Sequence, residues 1–298
     1  MFKSVLIGVD GHQGGRDAIA LSKQLPAPGA RFTLAHVYGP EVSCGRGGAQ
    51  ALVHAREASA TLLAAERQAA GIEADLVYTE LVPPARGLHE LAEQRTADLL
   101  VVGSSRHALL GRALIGDDAR ASLDGAPCAV AIAPRGYAVH ADRLLEVGVG
   151  YDTSPESEYA LAAAREIAER HEARLRPLSV VSLQDVREEK PIPADWPETA
   201  DRLLDERLAR IAKSGAFEGE AVYGGPREEL SRFSGEVDLL VVGSRGYGPL
   251  GRMLHGSVSR YLVRHVGCPL LVLVRNTGRS AISKIDVDRA PASTAISA

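Results

Sequence analysis

Large aromatic side chains are scarce in this 298-residue chain. Four Phe and one Trp leave the core to aliphatic residues and Ala. Cysteine is scarcer still. Cys44, Cys128 and Cys268 are odd in number and far apart, which suits a reducing compartment and suggests no zinc site. No apolar run approaches the roughly 20 residues that a membrane-crossing helix needs. No signal-peptide pattern accompanies the opening stretch MFKSVLIGVD. A net charge of −4 argues neither for nucleic acid nor for a membrane surface. Together these absences predict a soluble, cytoplasmic protein. One absence is local: from Leu239 to Ile285 there is no carboxylate, against six Arg, one Lys and two His.

What is present is a repeat. The length suits two domains, and 45% apolar residues give each half a core. Val5-Leu-Ile-Gly-Val-Asp10 reads as a buried strand ending in an acid, followed by a glycine-rich turn and a helix to about Leu25. Gly148-Val-Gly-Tyr-Asp152 repeats that strand end. Thr153-Ser154-Pro155 follows, with Ser154 as N-cap and Pro155 at the first helical position of a helix to about His171. Second strands are expected at Arg31–Tyr38 and Arg174–Val181, and long helices at Gly48–Ala70 and Pro197–Lys213. Third strands are expected at Glu73–Thr79 and Glu218–Tyr223, with short helices after each. Fourth strands at Leu99–Val102 and Leu239–Val242 lead into glycine loops and further helices. The last strands are Cys128–Ala133 and Pro269–Val274. Apolar runs without alternation, separated by helices, predict parallel sheet covered on both faces. Arg135–Arg143 is the only linker. Residues after Asn276 have no apolar period and read as a disordered tail.

The most informative stretch is DLLVVGSRGYGPLGRMLHGSVS, Asp238 to Ser259: a strand, a glycine loop, and a helix starting at Ser257. A glycine loop feeding a helix N-terminus is an anion site, because free N–H groups and the positive dipole end point the same way. Gly246 to Gly251 fits G-x-G-x-x-G, but the acid required about 20 residues later is missing. Gly251 to Ser257 has P-loop spacing with Ser257 in place of the Lys. The nucleophile elbow fails because Val242 stands where its first Gly belongs.

A further pattern fits without a gap: Gly243, two residues, Gly246, nine residues, then Gly256-Ser257. It resembles the ATP-binding signature of the universal stress protein family, and the resemblance covers residues 1 to about 276. It implies an α/β fold of two tandem Rossmann-like domains, each a five-stranded parallel sheet with helices on both faces. The domains would be 1–138 and 142–276, with 277–298 as the tail. It also implies pairing through the last strands as an intramolecular pseudo-dimer, with homodimerisation open. The implied ligand is ATP with Mg²⁺. On the nucleoside side stand Asp152, as acceptor for an adenine amino group or a ribose hydroxyl, with Thr153 beside it. Val180 matches a position whose backbone faces adenine, and it reads equally as core. Gly243 and Gly246 let the backbone approach ribose and phosphates. Gly256, Ser257, Val258 and Ser259 form the phosphate cup, and Arg245 and His255 can face a triphosphate. No catalytic residue and no metal ligand is assigned.

The first half keeps the frame and changes the chemistry. Gly103 is followed by Arg106 where the second Gly should be, and Gly116 by Asp117 and Asp118 where Ser should be. Carboxylates at a helix N-terminus satisfy its amides themselves and repel phosphate. Asp10 and Val37 still match the adenosine side. The expectation is one ATP site, in the second half, in a stress-response or regulatory protein. Two alternatives stand beside it: a slow ATPase or autokinase, and a scaffold whose first domain binds a protein partner. Trp196 reads as a surface residue at a helix start or as part of a lid.

Overall fold

The computed structural model describes residues 2–38, 48–80, 83–104, 117–141, 143–182, 196–213, 219–244 and 257–274. The first half runs β1 (Ser4–Gly8), α1 (Gln13–Ser22), β2 (Arg31–Tyr38), α2 (Gly48–Ala70), β3 (Ala74–Glu80), α3 (Pro84–Gln94), β4 (Leu99–Gly103), α4 (Asp117–Leu123) and β5 (Ala129–Ala133). A 3-10 turn at Tyr137–Val139 precedes the second half. That half runs β6 (Glu146–Gly150), α5 (Pro155–His171), β7 (Arg174–Val181), α6 (Trp196–Lys213), β8 (Glu220–Tyr223), α7 (Pro226–Phe233), β9 (Leu239–Ser244), α8 (Ser257–His265) and β10 (Leu270–Val274). The expected tail lies outside the described residues.

The strands form one ten-stranded sheet in the order β3-β2-β1-β4-β5-β10-β9-β6-β7-β8. Within each half the pairing is parallel. The halves join through β5 and β10, which are antiparallel, with Leu271 opposite Ala131. Side chains of period two sort the core into two layers. Val5, Ile7, Val147 and Val149 pack under α1, α2, α5 and α6. Leu6, Val130, Leu240 and Val272 pack under α3, α4, α7 and α8. Covering both faces explains why the strands read as unbroken apolar runs.

Several boundaries depart from the sequence reading, three of them for plain physical reasons. Helix α1 stops at Ser22, short of Leu25, because Leu25 precedes Pro26 and a pre-proline residue disfavours helical backbone. Strands β4 and β9 extend into Gly103 and Ser244, since Ala133 and Val274 lie beside them in register. One repeated detail carries no hydropathy signal. The Asp98 carboxylate accepts the amides of Lys3 and Ser4 at 2.8 and 3.0 Å. Asp238 does the same for Leu145 and Glu146 at 2.7 and 2.9 Å. In each half the acid before the fourth strand thus caps the start of the first.

Other contacts fix the halves to each other. The guanidinium of Arg170, at the end of α5, donates to the carbonyls of Gln24, Leu25 and Pro26. His171 Nε2 lies 2.8 Å from the Gln24 carbonyl. The fully buried Asp17 of α1 accepts the amides of Gly136 and Ala138, both at 2.8 Å, so the linker is tied down at its middle.

Candidate functional site

In the second half the chain runs from β6 outward to β7 and β8, then crosses back so that β9 lies on the other side of β6. The crevice between the C-terminal ends of β6 and β9 is therefore the switch point, where ligands of open α/β sheets bind. Asp152 follows β6, Gly243 and Ser244 end β9, and Val180 lies in the last turn of β7. These residues, distant in sequence, stand at the C-terminal ends of three adjacent strands, β9, β6 and β7.

Asp152 first serves its own turn. Its Oδ1 accepts the Ser154 amide at 3.0 Å and the Ser154 hydroxyl. Asp10 holds the His12 amide at 2.9 Å in the same way. Ser154 then caps α5, its hydroxyl accepting the Ser157 amide at 3.2 Å. Between them Thr153 has φ +67°, a left-handed conformation that is uncommon for a β-branched residue. Val180 is buried in the core, 8% exposed. Its backbone points to the β6 side just where β6 has ended, because Leu178 bonds on that side to Tyr151 at 2.9 Å and parallel strands alternate partners.

Gly243 owes its lack of a side chain to the fold itself. A Cβ there would lie 2.4 Å from the carbonyl oxygen of Glu156, in the first turn of α5. Gly103 meets Gly14 of α1 in the same way, at 2.0 Å. The packing of α5 on β9 therefore accounts for glycine at 243 without any ligand. Ser244 turns to the opposite face. It is 1% exposed, and its hydroxyl has no hydrogen-bond partner among the described residues. Such an orphan at a strand end calls for a partner from the following loop or from a bound group.

Helix α8 begins at Ser257, which is exposed, with Val258 half-buried and Ser259 buried. Its first turn holds no acid, and Arg264 and His265 stand in its last turn. No carboxylate of its own first turn thus sits at the positive end of its dipole, and the basic end complements the negative one. Arg245, Gly246, His255 and Gly256 lie outside the described residues, as do Arg106 and Gly116 of the first half. Helix α4 spans seven residues and opens on Asp117 and Asp118. The fourth helix thus opens without a carboxylate in the second half and on two in the first.

Two features went unseen in the sequence. Arg207 of α6 reaches the turn, with Nη1 donating to the Asp152 carbonyl at 2.7 Å and to Thr153 Oγ1 at 2.9 Å. The two partners lie more than 50 residues from it, so no local signal could have marked the contact. Beneath the turn the hydroxyl of buried Tyr151 donates to Glu158 of α5. Burial, and then the bond to Glu158, push this hydroxyl up to about 12, against the opposing charges of Arg210 and Arg207. Among the described residues, no cluster of three or more His, Cys, Asp or Glu could hold a metal, and no helix is long and apolar enough to cross a membrane.

Comparison with known proteins agrees with this fold. The sequence model of the universal stress protein family matches twice, over residues 1–134 and 146–275. A universal stress protein of Mycobacterium tuberculosis is 34% identical over 204 residues, 66% of this chain and 68% of the relative. A second from that organism is 30% identical over 232 residues, 76% of each. Among solved structures, a universal stress protein from Archaeoglobus fulgidus superposes with a TM-score of 0.65 at 19% identity. The match covers 92% of this chain and 98% of that one. A universal stress protein solved in complex with cAMP matches 44% of this chain and 96% of its own, at 25% identity and a TM-score of 0.35.

Proposed function

Because the chain belongs to the universal stress protein family, we propose that it is a cytoplasmic, ATP-binding stress-response regulator with one nucleotide site, in the second half. The observation that carries this reading is the start of α8. It is a helix N-terminus without an acid in its first turn, following the end of β9, where the buried Ser244 hydroxyl lacks a partner among the described residues. Domain 142–276 holds the site and domain 1–138 is its degenerate counterpart. We read their shared sheet as an intramolecular pseudo-dimer, and a homodimer as its extension.

In this reading Asp152, Thr153 and the backbone of Val180 receive the nucleoside. Gly256, Ser257, Val258 and Ser259 present amides and hydroxyls to the phosphates, with Gly243 and Gly246 shaping the loop and Arg245 and His255 adding charge. Each hydrogen bond to a charged phosphate is worth roughly 1.5–3 kcal/mol. Mg²⁺ would be held by the phosphate oxygens and water, since Leu239 to Ile285 supplies no carboxylate for it. Bound ATP would supply three anionic phosphates to order the loop, and the ordered loop would be the surface a partner reads. Ser257 stands where a P-loop carries its Lys, which favours binding over turnover.

The test is equilibrium ATP binding to the full chain and to a variant carrying Gly246→Arg and Ser257→Asp, which imports the first half's chemistry. Binding by the unmodified chain and its loss in the folded variant are expected. Equal affinity in both would overturn the site.

A further inference from the structure

The two halves build the turn after their first strand from different materials. In the first half the residue after Asp10 is Gly11, at φ +74°. It is packed from α2 by Leu62, whose Cδ1 would stand 2.7 Å from any Cβ placed there. The turn is glycine under an apolar side chain, and its left-handed backbone costs nothing. In the second half the residue after Asp152 is Thr153, at φ +67°. Both φ values are left-handed, but here a branched side chain must be held there, and such residues persist only where the surroundings over-determine them. The helix above this turn is α6, and it supplies Arg207 in place of a leucine.

Arg207 is well placed to hold the turn. Its Nη1 donates to the carbonyl of Asp152 and to the hydroxyl of Thr153, one on each side of the peptide that must stay fixed. The next residue, Ser154, bonds back to Asp152 and caps α5. One guanidinium thus spans the strand end, the strained residue and, through Asp152, the start of the helix. The polar version of the turn occurs only in the half whose fourth helix opens without carboxylates.

We propose that Arg207 is a positioning residue of the nucleotide site: by clamping Asp152 and Thr153 in the left-handed turn, it holds the Asp152 carboxylate in place for the nucleoside end of the ligand. The proposal rests on the nucleotide-binding reading above. It assigns Arg207 to the nucleoside end, so its effect is independent of the number of phosphates. Ser257 acts at the other end, and its effect grows with them.

The experiment measures affinities for ATP, ADP and adenosine in the full chain, in Arg207→Met, in Thr153→Gly and in the double variant. Arg207→Met is expected to weaken all three ligands by a similar factor, about tenfold. Thr153→Gly removes a group assigned to the nucleoside and has its own baseline affinity, and adding Arg207→Met to it should cost little further, because glycine needs no clamp. A role confined to overall stability would leave Arg207→Met affinity unchanged at temperatures where it is folded. A phosphate contact would give a loss that rises from adenosine to ATP. Either result overturns the proposal, as does an Arg207→Met loss that is just as large when Thr153→Gly is present. Amide exchange of Ser154 and Ser157 without nucleotide forms a separate arm. Faster exchange in Arg207→Met, restored in the double variant, supports the clamp even if the unmodified chain binds no ATP, in which case the functional reading alone fails. Unchanged exchange overturns the clamp.

Discussion

Gly243 shows how a residue identified from its spacing can owe its identity to a neighbour far away in the chain. The pattern of Gly243, Gly246, Gly256 and Ser257 was legible in the sequence. The contact with Glu156 was not, because it joins a strand end to a helix from another part of the chain. A methyl group at Gly243 would meet backbone atoms of Glu156 at 2.4 and 2.6 Å, and backbone cannot swing aside. Gly243→Ala is therefore expected to lower unfolding free energy by about 1–3 kcal/mol, the range of overpacked cores. Gly150→Ala is a control, because there the nearest atom is a Leu230 methyl at 3.2 Å, which can give way. Urea unfolding of both variants checks the difference. The cysteines test burial at the same scale. Burial pushes the thiols of Cys128 and Cys268 from 9.0 up to about 12. A folded value above the unfolded one means that their stabilising contribution is full below pH 9 and is lost as pH rises toward 12. Stability should thus fall between pH 9 and pH 10.5, and fall less in a Cys128→Ala, Cys268→Ala variant. A thiol reagent at pH 8 should modify neither of these two cysteines until the protein is unfolded.

Helix α5 is the element through which the second half is built. Its N-cap Ser154, first-turn Glu156 and Glu158, last-turn Arg170 and His171, and left-handed cap at Glu172 follow the rules for a stable helix. Its buried face of Ala160, Leu161, Ala164, Ile167 and Ala168 was readable from period alone. So was the shorter fourth helix of the first half, since 11 steps separate Gly116 from Pro127 and 13 separate Gly256 from Pro269. The clamp from α6 was not readable, because helix-to-turn contacts leave no periodic trace. Ser154→Ala removes both the cap to Ser157 and the bond to Asp152. It should cost about 1 kcal/mol or more by thermal or urea unfolding, and should loosen the start of α5 more than its end in hydrogen exchange.

Across the whole molecule the repeat is plain in the sequence, and with it the fold of each half. How the halves join is written in contacts the sequence does not mark. Arg170 reaches carbonyls more than 140 residues away, and the antiparallel register of β5 and β10 follows from the twofold relation of two similar sheets. With the linker tied to Asp17 and the sheet continuous, the chain should unfold in a single cooperative transition. Arg170→Ala strips a charged donor from three carbonyls, with an expected cost of about 1–3 kcal/mol. Calorimetry should show the transition broadening or splitting into two as the halves uncouple.

The site itself divides the same way: two similar halves, of which one opens its fourth helix on Ser257 and the other on Asp117. The most direct measurement of that asymmetry is the stoichiometry of ATP binding to the full chain by isothermal titration calorimetry. The expected result is one ATP per chain. Two per chain would contradict the assignment of the first half as degenerate, and none would contradict the nucleotide site altogether.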